Sequence, residues 1–95
     1  MESNYPALSR LIRCYFNEDF DLWGDTIPEI IACYKLENNA QAYRAVLNDI
    51  ENFRRENSRN LDETFKEMYK YHFDSEPWGH TTQSFLDEVQ KLLQQ

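Results

Sequence analysis

The sequence predicts an all-α fold, a single-domain bundle of about five short helices over residues 1–95. Three observations predict it. Apolar side chains recur at three- and four-residue spacing in five separate stretches. Residues suited to open or cap a helix precede those stretches. The alternating, β-branched runs that a sheet requires are missing. With 41% hydrophobic residues, among them six Phe, six Tyr and two Trp, the chain can fill one compact core. No linker or internal repeat divides it.

The elements follow in order. Pro6 suits a first helical turn, because its missing amide hydrogen is not needed there. Leu8, Leu11, Ile12, Tyr15 and Phe16 then mark the buried stripe of a helix over 6–16. Residues 17–25 break the pattern with four acids, Gly24 and two large aromatics, Phe20 and Trp23. Thr26-Ile27-Pro28-Glu29 has the form of a capping box, in which Thr26 accepts from the Glu29 amide and the Glu29 carboxylate reaches back. It opens a helix over 26–36 with Ile27, Ile30, Ile31 and Tyr34 inward. Asn38 or Asn39 caps the longest helix, 39–56, whose stripe is Tyr43, Val46, Leu47, Ile50 and Phe53. Arg54 and Arg55 complement the negative end of its dipole. Asn60 restarts a helix over 61–72 on Leu61, Phe65, Met68 and Tyr69. Residues 74–80 form a loop around Trp78, with Pro77 and Gly79. Thr81 or Thr82 caps the last helix, 82–94, with Phe85, Leu86, Val89, Leu92 and Leu93 inward.

Seventeen acids against ten bases give a formal charge of −7. That balance opposes direct binding to nucleic acid, which needs a basic footprint, and adsorption to an anionic membrane. It favours basic partners and speeds encounter with them, besides keeping the protein in solution. Cys14 and Cys33 match no zinc or redox spacing and read as two buried thiols. The N-terminal residues carry no basic and apolar leader pattern, and no apolar run is long enough to span a bilayer. A reduced, cytoplasmic protein is the expectation.

Catalytic and metal chemistry find no support. Started at Asp19, an EF-hand register places Asp21 third and Gly24 sixth, then fails on Trp23 at the fifth position and Ile30 at the twelfth. His72 and His80 stand in no zinc-protease spacing. Ser9, Ser58, Ser75 and Ser84 lack a nucleophile-elbow context, and no Gly-rich phosphate loop exists. The expectation is a non-enzyme without cofactor or metal.

Three acid-rich regions remain: Glu18 to Glu29, Asp74-Ser75-Glu76 beside Trp78, and Asp87-Glu88. Acids interleaved with aromatics in loops can form a binding rim around an anchor. Phe20 and Trp23 read first as a roof over the core, Asp21 or Asp25 serve as caps of the following helix, and Trp78 suits core and anchor alike.

Several short motifs together resemble the helical immunity proteins of bacterial contact-dependent growth inhibition (CDI) systems. They are Tyr5-Pro6-Ala7-Leu8, the aromatic-acidic run Tyr15-Phe16-Asn17-Glu18-Asp19-Phe20-Asp21, Gly24-Asp25-Thr26, and Phe85-Leu86-Asp87-Glu88-Val89. The likeness covers nearly the whole chain. It departs at Asn17-Glu18, where the family often has His-Gln, so no His-dependent role carries over. The resemblance implies a cytoplasmic antitoxin that binds the C-terminal toxin domain of its own strain's CDI effector. Many such toxins are nucleases with basic surfaces, which an acidic inhibitor can occupy as a mimic of nucleic acid. On that reading Glu18, Asp21, Asp25, Asp74 and Glu76 are the first candidates for toxin contact, and Trp78 is the anchor. The rival readings are an adaptor or structural module in a larger cytoplasmic assembly and, more weakly, a small metal-binding regulator.

Overall fold

The computed structural model describes residues 5–16, 24, 26–69 and 79–94. Five helices account for most of them, and no strand occurs among the described residues: α1 (Pro6–Tyr15), α2 (Ile27–Glu37), α3 (Ala40–Glu56), α4 (Leu61–Tyr69) and α5 (Thr82–Gln94). The sequence-based boundaries agree to within a residue or so wherever both ends are described; residues 70–72, the expected end of α4, lie outside the described residues.

Each stripe read from the sequence is the face that packs. Leu8, Leu11, Ile12, Tyr15 and Phe16 of the first stripe, all four residues of the second, and Val46, Ile50 and Phe53 of the third are buried in one contiguous cluster. Phe65, Tyr69, Phe85, Leu86, Val89 and Leu93 complete it, and Tyr43, Leu47, Leu61, Met68 and Leu92 pack against its edge. Aromatic rings form two runs through this core. Tyr5 meets Phe53 edge-on at 5.3 Å, Phe53 meets Phe65 at 6.0 Å, and Phe65 meets both Tyr69 and Phe85. A second run joins Tyr15, Tyr34 and Tyr43 across α1, α2 and α3. Edge-to-face rings at these separations add to the area they bury.

The caps resolve the alternatives that the sequence left open. Thr26 Oγ1 accepts from the Glu29 amide at 3.3 Å, as a capping box requires. The Glu29 carboxylate departs from that pattern by accepting the Thr26 hydroxyl at 3.0 Å. Asn39, not Asn38, caps α3, its Oδ1 accepting from the Ala42 amide at 3.1 Å. Asn38 instead closes α2 through a bond from Nδ2 to the Tyr34 carbonyl at 2.9 Å. Thr81 caps α5: its Oγ1 accepts from the Ser84 amide at 3.1 Å while Ser84 Oγ accepts from the Thr81 amide at 2.9 Å. Gly24 lies against the start of α2 at φ +156°, and a Cβ there would fall 2.5 Å from that of Glu29.

Helix α1 has no side-chain cap of its own. Asp49 supplies one from α3, its carboxylate accepting from the Ala7 amide at 2.8 Å and the Leu8 amide at 3.1 Å. Two amides that a helix start leaves without partners are thereby satisfied across the interface. The order of contacts, Tyr5 with Phe53 and then Leu8 with Asp49, makes α1 and α3 antiparallel. Asp62 with Thr82 and Phe65 with Phe85 make α4 and α5 run side by side in the same direction.

One sequence reading needs correction. The two cysteines form no disulfide with each other, but Cys14 is exposed and Cys33 is half-buried. Each falls well round the helix from its inward stripe, so neither reaches the core.

Candidate partner-binding surface

The acids of the helical frame divide into those with structural work and those without. Tyr5 donates its hydroxyl to Glu56, and Tyr15 donates to Glu37. Burial, and then the Glu37 carboxylate, push the Tyr15 hydroxyl up to about 12; burial and Glu56 raise Tyr5 likewise. Asp49 caps α1, and Glu29 belongs to the cap of α2. Asp62 accepts the Thr82 amide at 3.2 Å. The Thr82 side chain, then that amide and Lys66, hold the Asp62 carboxyl below its ordinary range against the opposing pull of burial. Asp87 pairs with Arg54 at 2.6 Å, while the same guanidinium nitrogen donates to the Gln83 carbonyl at 3.1 Å. This ties α3 to α5 and engages one member of the third acid-rich region in the frame.

The charge of the chain is distributed unevenly. The described residues hold nine of the ten bases and ten of the seventeen acids, a balance of −1. The remaining residues supply the other −6, and residues 17–25 alone carry four acids and no base. All six residues expected to contact a partner belong to this second set. Glu18, Asp21, Asp25, Asp74, Glu76 and Trp78 lie outside the described residues, as do Phe20, Trp23 and His72. Phe16, immediately before the first acid-rich segment, packs edge-on against Phe85 at 5.3 Å, in the helix that follows the second.

Surface hollows on the frame include two among the described residues. One, of about 340 Å³ between α1 and α2, is lined by Arg10, Cys14, Tyr15, Tyr34, Glu37 and Asn38. The other, of about 460 Å³ and more polar, includes Arg59, Asp62, Glu63 and Thr81. No histidine is among the residues that line either. His80 Nδ1 does approach Ser84 Oγ at 3.0 Å, but that hydroxyl is already tied to Thr81 in the cap of α5. Among the described residues no group of three or more His, Cys, Asp or Glu side chains is placed to hold a metal ion. Likewise, no helix among them is long and apolar enough to cross a membrane.

One surface feature escaped the sequence reading. Leu36 on α2 is 87% exposed, and no other large hydrophobic among the described residues is exposed. Its signal was present in the spacing Pro28, Ala32, Leu36, a second apolar line along a helix whose Ile-rich line accounted for the core.

A model of the CdiI immunity protein family matches residues 4–93 of the chain. No curated protein and no solved structure matches it.

Proposed function

We propose that this chain, which belongs to the CdiI immunity protein family, neutralises a nuclease toxin by stoichiometric binding through its acidic interhelical segments. The family implies a cognate toxin protein as partner. A nuclease must present cationic side chains to the phosphates of its substrate. An inhibitor with a concentrated negative surface competes for those cations and is drawn to them at long range.

The observation that carries this reading is the partition of charge. The helical frame is close to neutral, and six of its carboxylates hold caps, tyrosine hydroxyls or an arginine. Residues 17–25, between α1 and α2 in the sequence, carry four acids and no base. On this reading Glu18, Asp21, Asp25, Asp74 and Glu76 meet basic side chains of the toxin, and Trp78 fills a pocket among them. The protein works in the cytoplasm, without catalysis, cofactor or metal.

The test uses the purified chain and the purified C-terminal toxin domain of the CDI effector encoded at the same locus. A one-to-one complex by size-exclusion chromatography, loss of toxin nuclease activity at equal molarity, and protection of toxin-expressing cells are the expected results. No complex at micromolar concentrations, or unaltered nuclease activity within the complex, overturns the reading.

A further inference from the structure

The hollow between α1 and α2 holds polar groups that the fold does not use. Tyr34, which lines it, is 5% exposed. Its ring stands edge-on to Tyr15 at 5.3 Å and tilted against Tyr43 at 5.8 Å, so two neighbours fix where its hydroxyl lies. That hydroxyl makes no hydrogen bond among the described residues, and its oxygen remains open to the hollow. Polar groups on side chains buried this deeply are ordinarily bonded.

Arg10, exposed on α1, lines the same hollow, and its guanidinium has no acceptor among the described residues. Burial, and then Tyr43, raise the Tyr34 hydroxyl above its ordinary value while Arg10 opposes them, so the cation lies within electrostatic reach of that oxygen. Glu37 completes the set. Its Oε1 takes the Tyr15 hydroxyl, and a carboxylate has further acceptor capacity on its second oxygen. The lining therefore offers donors from Arg10 and Tyr34, an acceptor from Glu37, and one cation against one anion. A hollow walled by aromatic rings, with a few convergent polar groups, is the ordinary form of a recognition pocket.

We infer that this hollow receives a carboxamide of the toxin, an Asn or Gln side chain whose oxygen accepts from Arg10 and Tyr34 while its amide donates to Glu37. This rests on the reading that the chain neutralises a toxin by binding it. Charge complementarity selects the occupant. A carboxylate would meet Glu37, and an ammonium or guanidinium would meet Arg10, each at like charge. A carboxamide is neutral, with an acceptor at one atom and two donors at another, and it satisfies both ends without repulsion.

The test is calorimetric binding of the purified toxin domain to the parent chain and to Tyr34→Phe, Arg10→Met, Glu37→Gln and Arg44→Met. Arg44 is exposed on α3, away from the hollow, and serves as the control. An unpartnered hydroxyl holds nothing in the free chain, so the melting temperature of Tyr34→Phe at neutral pH should not fall below the parent's. Tyr34→Phe should weaken binding about fivefold, and Arg10→Met at least about tenfold, because its bonds are charge-assisted. Glu37→Gln keeps an acceptor without the charge and should weaken binding more modestly. Arg44→Met should stay close to the parent. The signs identify the occupant. Tighter binding by Glu37→Gln points to a carboxylate, tighter binding by Arg10→Met to a cation, and either overturns the proposal. If Tyr34→Phe and Arg10→Met bind like the parent, the hollow is no contact and the proposal falls while the immunity reading stands. A lower melting temperature for Tyr34→Phe with unchanged affinity gives the hydroxyl to the fold and overturns it likewise. If the parent itself fails to bind, both readings fall together.

Discussion

Acids of the helical frame and acids of residues 17–25 stand in different company. Within the frame several carboxylates have a donor: the first amides of α1 for Asp49, a buried tyrosine for Glu56, a guanidinium for Asp87. Such groups fix one helix against another and leave little net charge. Residues 17–25 hold four acids with no base among them, so their charge is uncompensated by sequence neighbours. An acidic composition alone therefore says little about function. What matters is which acids the fold has already satisfied.

Perturbing the frame should change stability in proportion to what each residue holds. The largest loss is expected from Phe65→Ala. Phe65 is 1% exposed and touches Phe53, Tyr69 and Phe85. Its truncation should cost about 3–5 kcal/mol in thermal or urea denaturation, and a loss below about 1 kcal/mol contradicts its central position. Asp49→Ala comes next. It leaves the Ala7 and Leu8 amides without their acceptor and should cost about 1.5–3 kcal/mol. Because one carboxylate oxygen takes both bonds, Asp49→Asn should recover more than half of that loss. Equal losses in the two variants would show that the bonds to α1 do not carry the effect.

A smaller effect belongs to Thr26→Ala. The cap is exposed and its bond to the Glu29 amide is long, so the change should fall toward the lower end of about 0.5–2 kcal/mol. No measurable change means that the cap does not hold α2. The smallest effect is that of the tyrosine hydroxyls, and it is read from the dependence of stability on pH in alkali. Tyr15 is raised from 10.0 to about 12, so the stability it contributes is complete below pH 10 and is lost as the pH climbs from 10 through 12. Tyr15→Phe should therefore flatten the decline of melting temperature across that window. An unaltered decline places the alkaline sensitivity on Tyr5 or Tyr34, whose hydroxyls are also raised.

These same residues show how far the sequence could be read. The inward stripes and the caps at Thr26, Asn39 and Thr81 were legible because helical periodicity and capping act within a few residues. Asp49 was not, since the amides it caps lie more than forty positions earlier. The pairings of Tyr5 with Glu56 and Tyr15 with Glu37 escaped for the same reason: an acid on an exposed helical position gives no local sign of a distant hydroxyl. Cys14 was misjudged because composition favours burial of cysteine, whereas its place round α1 turns it to solvent. The acid-rich segments were visible in the sequence. Their contrast with a nearly neutral frame emerged only once the frame's own carboxylates had been traced to their partners.

The contrast is tested most directly by association kinetics with the purified toxin domain at low and high salt. Asp21→Lys and Glu76→Lys reverse charges in the interhelical segments, while Glu51→Lys and Glu63→Lys reverse exposed charges on the frame. Trp78→Ala, measured alongside, should act on dissociation, because an interface anchor governs how long a complex lasts. If the segments steer the toxin, the first pair should slow association and reduce its salt dependence, and the frame pair should leave both close to the parent. Equal slowing by both pairs, or slowing by the frame pair alone, would contradict the division of labour between frame and segments.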